Sequence, residues 1–359
     1  MGWSWKLGKW FGIEVNLHFT FLLLIGFLAV TGFAATRNAG AVAGNIGFLL
    51  ALFLCVLLHE FGHALAARRY GIPTKDITLW PIGGVARLER MPTDPKQELV
   101  VALAGPAVNV VIALLLLPIV AVSDVTFFER LLSTNLFLVA FNMIPAFPLD
   151  GGRVLRAGLA LKMDYAKATS AAATIGQGFA IVFGIVGLFT NPFLILIAVF
   201  IWFGAAGESQ VTQTQSKLTG VPVERAMLTS FEMLSPINSL RYVTHLVLAG
   251  SQQEFPVVEN GRPIGLVTRA DLLNALTQYG PLGFVSQAMR RDVELIDADE
   301  PLTTAAEKLQ TGQARSMIVL RDGQLAGLLT LENVQEFALI QAALEKNLSG
   351  DKIELLRTT

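Results

Sequence analysis

Two histidines and a glutamate within residues 57–65 are the side chains best suited to catalytic chemistry. They stand in the order His59-Glu60-Phe61-Gly62-His63, which is the pattern His-Glu-x-x-His. On a helix, residues four apart lie one turn apart on the same face, so both imidazoles can reach a single zinc ion. Glu60 projects from an adjacent position, where its carboxylate can take a proton from metal-bound water. The motif predicts a hydrolytic metal centre.

This motif lies at the end of an apolar run, because residues 47–56 contain no charged side chain. Ionisable groups are costly in lipid, and by default they mark functional sites. Of the 359 residues, 53% are hydrophobic and 15% are charged, and the mean hydropathy is +0.56. Soluble proteins average about 25% charged residues, so the composition indicates a membrane protein. The net charge of −1 gives no reason to expect nucleic acid as a partner.

The apolar stretches predict a polytopic α-helical membrane protein with about six transmembrane helices. The fifth and sixth come from one stretch, 170–206, which is divided at 190–192, and the sixth is short enough to be re-entrant. The first four predicted spans are residues 17–35, 43–67, 99–122 and 131–149.

Lys and Arg counts in the loops predict the orientation of these spans in the lipid bilayer. The N-terminal segment carries two, residues 68–97 six and residues 150–168 four, whereas the intervening loops carry one, one and none. By the positive-inside rule, the N-terminus, the end of the metal-motif helix and the whole C-terminal region face the cytoplasm. We therefore expect a multi-pass protein of the cell membrane with both termini cytoplasmic.

A third metal ligand is expected from a carboxylate. Catalytic zinc takes three protein ligands and keeps one position open. The chain has four histidines, and His18 and His245 are poorly placed. Asp150 is the best candidate, because residues 142–152 contain prolines and glycines that break the helix and can turn its side chain inward. The alternative is that Asp150 only caps the next helix.

Residues 77–88 predict a β-hairpin, with β-type residues around Gly83 and Gly84. One interpretation is a surface connector. The other is an exposed strand edge at Gly83, Gly84 and Val85 that pairs with an extended substrate peptide. The sequence alone leaves both open.

The C-terminal part of the chain, after residue 207, predicts a soluble α/β pair. Residues 208–220 have the polar composition of a linker. A repeat of about 62 residues follows, and each copy is a strand, a glycine turn, a second strand and a helix beginning after Thr268 or Thr330. The predicted organisation is a transmembrane domain at 1–207, the linker, repeat domains at 221–280 and 281–345, and a tail at 346–359.

Residues 1–207 resemble the site-2 protease family of intramembrane zinc metalloproteases. The resemblance rests on His-Glu-x-x-His together with a second motif, Asn142 through Pro145 to Pro148-Leu149-Asp150-Gly151-Gly152. It implies hydrolysis of peptide bonds within or near the transmembrane segment of a membrane-protein substrate, in regulated intramembrane proteolysis.

The same resemblance implies roles for individual residues. His59, His63 and Asp150 would bind zinc, and Glu60 would be the catalytic acid and base. Asn142 matches the asparagine that holds the substrate carbonyl or oxyanion in that family. Gly105, Pro106 and Asn109 also look like a family feature, and we interpret Asn109 as a packing residue first.

The repeat resembles a tandem pair of cystathionine-β-synthase-type (CBS) domains. Such pairs often bind adenine nucleotides, ATP or AMP, in the cleft between copies, and the resemblance also allows a homodimer through these domains. In that family a threonine and an aspartate three residues later commonly hold the ribose. Thr268 and Asp271 match this pattern, whereas Thr330 is followed by Asn333. The cytoplasmic pair would then regulate access to the protease.

A competing hypothesis is a nucleotide-regulated membrane metal-ion transporter or sensor, because CBS pairs also occur on channels and transporters. Transport does not need a general base between the ligands, so Glu60 argues against it. Inverted repeats would favour it, and the sequence shows none.

Overall fold

The computed structural model describes residues 4–81, 83–89, 91–122, 125–312 and 315–357, with side chains described up to residue 344. The chain divides into two compact units, Met1–Thr212 and Gln213–Thr359. The helices of the first unit are α1 (Phe19–Thr36), α2 (Ala39–Arg69), α3 (Pro95–Val122), α4 (Thr126–Asn142), α5 (Asp150–Ala160), α6 (Tyr165–Phe189) and α7 (Phe193–Leu218). Its strands are β1 (Ser4–Trp10), β2 (Ile13–His18), β3 (Thr74–Trp80) and β4 (Gly83–Leu88).

Within the described residues, five helices are long and apolar enough to cross a membrane: α1, α2, α3, α6 and α7. Large apolar side chains on them point outward, since Leu115 is 66% exposed, Phe189 83% and Phe203 70%. A water-soluble protein rarely exposes so much apolar surface, whereas lipid solvates it. The chain is therefore a polytopic membrane protein, as its sequence predicts.

Two predicted spans differ from the observed helices. The fourth was expected to reach residue 149, but α4 ends at Asn142 after 17 residues, and residues 143–149 are non-helical up to Asp150. The sixth is not short, because α7 has 26 residues and includes most of the predicted 208–220 linker. Polar Glu, Gln and Lys are good helix formers, so falling hydropathy marks the end of the apolar surface and not the end of the helix.

A four-stranded sheet in the order β1-β2-β3-β4 accompanies the helices. The predicted hairpin is present as β3 and β4, which pair antiparallel. The N-terminal hairpin β1–β2 was not predicted from the sequence; it turns at Phe11 and Gly12, both with positive φ, as a two-residue turn requires. Strands β2 and β3 pair in parallel, which leaves β4 at one edge among the described strands.

The sheet packs directly on the metal-motif helix. Val15, Ile77 and Leu79 of the strands form one buried cluster with Leu57 and Phe61 of α2. Leu57 and Phe61 alternate with the histidines along α2, so the packing face of the helix is next to its chemical face. The sheet thus fixes the rotation of α2 about its axis.

The second unit contains the two predicted repeats. The antiparallel hairpins at residues 254–268 and 316–330 each have one register shift near their middle, and a helix follows each hairpin. Leu266 of the first copy packs with Ile318 and Leu328 of the second. The strands are β5 (Glu254–Glu259), β6 (Arg262–Thr268), β7 (Leu295–Asp297), β8 (Ser316–Arg321) and β9 (Gln324–Thr330). The helices are α8 (Leu240–Ala249), α9 (Arg269–Tyr279), α10 (Val285–Ala288), α11 (Leu302–Gln310) and α12 (Leu331–Arg357).

Candidate metal centre

His59, His63 and Asp150 meet in the interior of the first unit. The Nε2 atoms of the two histidines are 3.1 Å apart, and Asp150 Oδ2 lies 3.2 Å from each of them. All three residues are buried, with exposures of 6%, 4% and 8%. The histidines come from adjacent turns of α2, and Asp150 is the first residue of α5. The structure therefore brings together the three residues that the sequence singled out as possible ligands.

The hydrogen bonds of the two rings fit a divalent metal. His59 Nδ1 is 2.7 Å from the side-chain oxygen of Asn109, and His63 Nδ1 is 2.7 Å from the carbonyl oxygen of Val101. Both acceptors fix the proton on Nδ1, which leaves each Nε2 lone pair facing Asp150. Ligands about 2.0–2.1 Å from a tetrahedral zinc ion lie about 3.4 Å from one another. The observed separations and the donor set, two imidazoles and a carboxylate, are compatible with zinc.

Gly105 on α3 provides the space for this centre. A Cβ atom there would lie 2.2 Å from His63 Nε2 and 2.7 Å from His59 Nε2, so any side chain would occupy the metal position. Gly62 on α2 faces α3 in the same way, since its Cβ would be 2.7 Å from the carbonyl oxygen of Ala104. Close packing of two glycine-bearing helices explains why the Gly105-Pro106 segment stands opposite the histidines.

Glu60 lies beside the ligands and contacts the sheet. Its Oε2 accepts a hydrogen bond of 3.1 Å from the backbone N–H of Ala86 on β4. A Cβ atom at Gly84 would be 2.8 Å from Glu60 Cγ, so the glycine of the hairpin leaves room for the glutamate. Ala86 was not identified from the sequence, because a backbone donor carries no residue signature.

A chain of buried amides lies behind His59. Asn109 Nδ2 donates to Asn135 Oδ1 at 3.0 Å, and Asn135 Nδ2 donates to the carbonyl oxygen of Leu131 at 2.8 Å. Both asparagines are fully buried. The interpretation of Asn109 as a packing residue first is therefore incomplete, because its side chain orients a candidate ligand. Asn135 was missed, because α4 also carries Glu129, Arg130 and Thr134, and one more polar residue on it gives no signal.

The remaining predicted residues of this unit lie around the centre. Asn142 is the last residue of α4 and is half-buried; its catalytic role stays a prediction. Gly83, Gly84 and Val85 form the start of β4, and Val85 is 50% exposed. His18, which the sequence set aside as a ligand, caps α1 and stacks on Trp80 with ring centroids 3.7 Å apart.

In the second unit, Thr268 and Asp271 are engaged with each other and with Arg290. Thr268 Oγ1 donates to Asp271 Oδ2 at 2.6 Å, and Arg290 Nε donates to Asp271 Oδ1 at 2.8 Å. Burial raises the pKa of Asp271, but the hydrogen bonds from Arg290 and Thr268 outweigh it and hold the pKa below its usual value. The Asp271 carboxylate is therefore already bonded to Arg290 and Thr268 within the protein.

A cavity of about 830 Å³ lies at the corresponding position of the second repeat. Thr330 and Asn333 line it, although Asn333 departs from the threonine and aspartate pattern. Thr330 Oγ1 bonds Asn333 Oδ1 at 2.9 Å, in the geometry that Thr268 and Asp271 adopt. The charged side chains of the lining are Glu232, Glu254, Glu332 and Arg315.

A buried His-His-Asp cluster with an adjacent glutamate, whose two histidines lie on a helix long enough to cross a membrane, is the arrangement expected of a membrane metallopeptidase. Comparisons with known proteins give the same result. Residues 47–127 and 121–185 match Peptidase family M50, and residues 223–278 and 285–339 match the CBS domain. A zinc metalloprotease of Methanocaldococcus jannaschii is 32% identical over 340 residues, which cover 93% of this chain and 96% of the relative.

Two further similarities each cover more than half of this chain. Stage IV sporulation protein FB of Bacillus subtilis is 30% identical over 190 residues, or 52% of this chain and 62% of that protein. The solved site-2 protease from Methanocaldococcus jannaschii is 38% identical, covers 58% of this chain and 95% of that chain, and superposes with a TM-score of 0.45. From the sequence relationships, the chain belongs to Peptidase family M50, the site-2 protease family of zinc metalloproteases, and carries a C-terminal pair of CBS domains.

Proposed function

We propose that this protein hydrolyses peptide bonds within or near the transmembrane segment of membrane-protein substrates, in regulated intramembrane proteolysis. The supporting observation is the cluster of His59, His63 and Asp150, buried among apolar helices with Glu60 beside it. A soluble substrate would not need such a location. We propose the cell membrane as its location, with both termini cytoplasmic, because the loops rich in Lys and Arg follow the ends of α2 and α4.

Each residue has a defined task in this proposal. His59, His63 and Asp150 would hold zinc, which when bound acidifies water and polarises a carbonyl group. Glu60 accepts the proton of the attacking water at a carboxylate oxygen and returns it to the leaving nitrogen. Asn142 donates a hydrogen bond to the developing oxyanion, an interaction typically worth about 3–4 kcal/mol.

The edge of β4 is the proposed substrate-binding element. A transmembrane helix hides its peptide groups in hydrogen bonds, so it must unfold locally before hydrolysis. Strand β4 can hold the extended form as an added strand at Gly83, Gly84 and Val85. Supporting this, the Ala86 N–H reaches Glu60, which places the edge of the strand next to the proposed proton acceptor.

We further propose that an adenine nucleotide modulates the protease by binding the cavity at Thr330 and Asn333. Three glutamates and one arginine line this cavity, so we expect AMP to bind more tightly than ATP, because each added phosphate increases like-charge repulsion.

Isothermal titration of the full-length protein with AMP and ATP measures the affinity of each nucleotide. Asn333→Ala should weaken binding, with Asn274→Ala, an exposed position outside the cavity lining, as the matched control. If neither nucleotide binds, the proposed nucleotide regulation is wrong, and the proposed proteolysis is unaffected.

The test of the main proposal is cleavage of a single-span membrane substrate by the purified protein. We expect product from the wild type, no product from Glu60→Gln, and loss of product with a chelator that zinc restores. Glu14→Gln, which alters an exposed surface carboxylate, is the control and should cleave normally. Zinc flux into vesicles without any cleavage would contradict the proposal in favour of the transporter.

A further inference from the structure

The buried side chain of Arg156 is not explained by the roles assigned so far. Arg156 is 1% exposed and lies on α5, the helix that begins with Asp150. The two residues are six positions apart, or about 9 Å along the helix axis. An arginine this deeply buried needs partners for its charge, and those partners identify what it holds in place.

The guanidinium contacts three other helices. Its Nε donates to Glu98 on α3 at 2.8 Å, and its Nη2 donates to the same oxygen. Its Nη1 donates to Glu208 on α7 at 2.5 Å. Its carbon centre lies 4.9 Å from the ring centroid of Tyr165 on α6 and 5.0 Å from that of Phe147. One side chain therefore connects α5 to α3, α6, α7 and the segment before Asp150.

Stability alone does not explain this buried ion pair. A buried ion pair can often be replaced by apolar residues of similar volume without loss of stability. Glu98 is fully buried, and its Oε2 has no hydrogen-bond partner within the described structure, so part of its desolvation cost is uncompensated. The ion pair instead fixes the orientation of the side chain and of the helix that carries it. A planar guanidinium can bond two carboxylates in only a narrow range of positions.

The start of α5 is held by the packing of the buried Phe147 and Leu149 and has no side-chain cap. Its N-cap residue, Leu149, makes no side-chain capping bond, and residues 143–149 before it are non-helical. Ligand side chains must be held within about 0.5 Å of their productive positions. The position of Asp150 therefore depends on the packing of its own segment and on how the rest of α5 is anchored.

We propose that Arg156 is a positioning residue for the metal ligand Asp150, acting through α5 and anchored by Glu98 and Glu208. This inference rests on the proposed zinc site. Its consequence is that zinc affinity depends on an ion cluster that does not touch the metal.

The experiment measures zinc affinity of the full-length protein in detergent by competition with a chromophoric chelator, with thermal unfolding in parallel. Arg156→Met alone would leave Glu98 buried and unpaired and is expected to fold poorly. The double variant Glu98→Leu/Arg156→Met removes both charges and should unfold near the wild-type temperature. We expect its zinc Kd to rise about tenfold, the lower end of the range for groups hydrogen-bonded to a metal ligand, because Arg156 acts on Asp150 only through α5.

Two further variants keep the test decisive. Glu208→Gln leaves the Glu98 bonds intact and should raise the zinc Kd several-fold, while Glu14→Gln at the exposed Lys6–Glu14 pair should leave it unchanged. In the cobalt-loaded protein, the ligand-field bands should shift in the double variant and in Glu208→Gln only. A folded double variant, or a folded Glu208→Gln, with wild-type zinc affinity and spectrum would overturn the positioning role. A wild type that binds no zinc would overturn the proposed function as well.

Discussion

At the scale of single residues, the candidate metal centre depends on Gly105 as much as on its three ligands, because Gly105 has no side chain to fill the metal position. The two imidazoles face each other across the position that a side chain at residue 105 would fill. Their Nδ1 atoms are held by an amide oxygen and a carbonyl oxygen, so both rings present Nε2 to the same point. The orientation of both imidazole rings is thus set by the protein before any metal binds.

Replacing Gly105 by alanine should abolish zinc binding. The added Cβ would lie 2.2 Å from His63 Nε2, and backbone packing of α3 on α2 prevents it from moving away. Zinc content by elemental analysis of purified protein measures the effect. Gly47→Ala on α2 is the matched control, because its Cβ would meet no described atom within 4 Å. Equal zinc in the two variants would contradict this account of Gly105.

The amides behind His59 should act in order of their distance from the metal. Asn109→Ala removes the acceptor of the His59 Nδ1 proton, so we expect a zinc affinity 10–100-fold lower. Asn135→Ala is one hydrogen bond further away and should have a smaller effect. Competition titration with a zinc chelator compares them, and an Asn135→Ala effect equal to or larger than that of Asn109→Ala would rule out the proposed order.

At the scale of elements, α2 and β4 enclose Glu60 between them. Helix α2 carries the glutamate, and β4 supplies the Ala86 N–H and the glycine that leaves it room. The sheet is thus part of the catalytic surroundings in addition to being a candidate substrate edge.

Gly84→Ala tests this contact without touching a ligand. A Cβ atom there would be 2.8 Å from Glu60 Cγ, which displaces the carboxylate from its position. We expect cleavage to fall at least tenfold while zinc affinity stays at the wild-type value. Both are measured on the same preparation, with Gly47→Ala as the control. Unchanged cleavage would show that Glu60 does not depend on the packing of β4.

In the second unit, the start of α9 should be sensitive to acid. The folded pKa of Asp271 is below its usual value, so its stabilising effect is present above about pH 4, the unfolded value, and is lost as the pH falls through the folded pKa. Asp271→Asn should therefore reduce the hydrogen-exchange protection of α9 amides at pH 7, and this difference should shrink well below pH 4. A difference that grows with acidification would contradict the sign of this linkage.

These elements also show what can be read from the sequence. Apolar length predicts most of the helices, and spacing predicts His59 and His63 as a pair. Asp150 was predicted from the helix-breaking segment that precedes it, so these signals are local or motif-specific. The N-terminal hairpin was missed since its turn uses Phe11, a residue that rarely adopts positive φ. The roles of Asn135, Ala86 and Arg156 depend on which helices and strands become neighbours, and no local pattern records that.

At the scale of the whole molecule, the chain combines two compact units of different solvent preference. The first exposes apolar side chains and buries a polar cluster, whereas the strands of the second unit run through buried hydrophobic clusters. The family relationship shows that this combination is a zinc metalloprotease with CBS domains. In our account, the membrane unit supplies the chemistry and the second unit responds to a nucleotide.

The most direct test of the central claim is to locate the bond that is cut. The wild-type protein and a single-span substrate are reconstituted in liposomes, and the masses of both products are determined by mass spectrometry, with Glu60→Gln as the blank. We predict one main pair of products whose new ends lie within or at the border of the substrate's apolar segment, and none in the blank. Cleavage confined to the water-exposed parts of the substrate, or identical products from Glu60→Gln, would contradict the account.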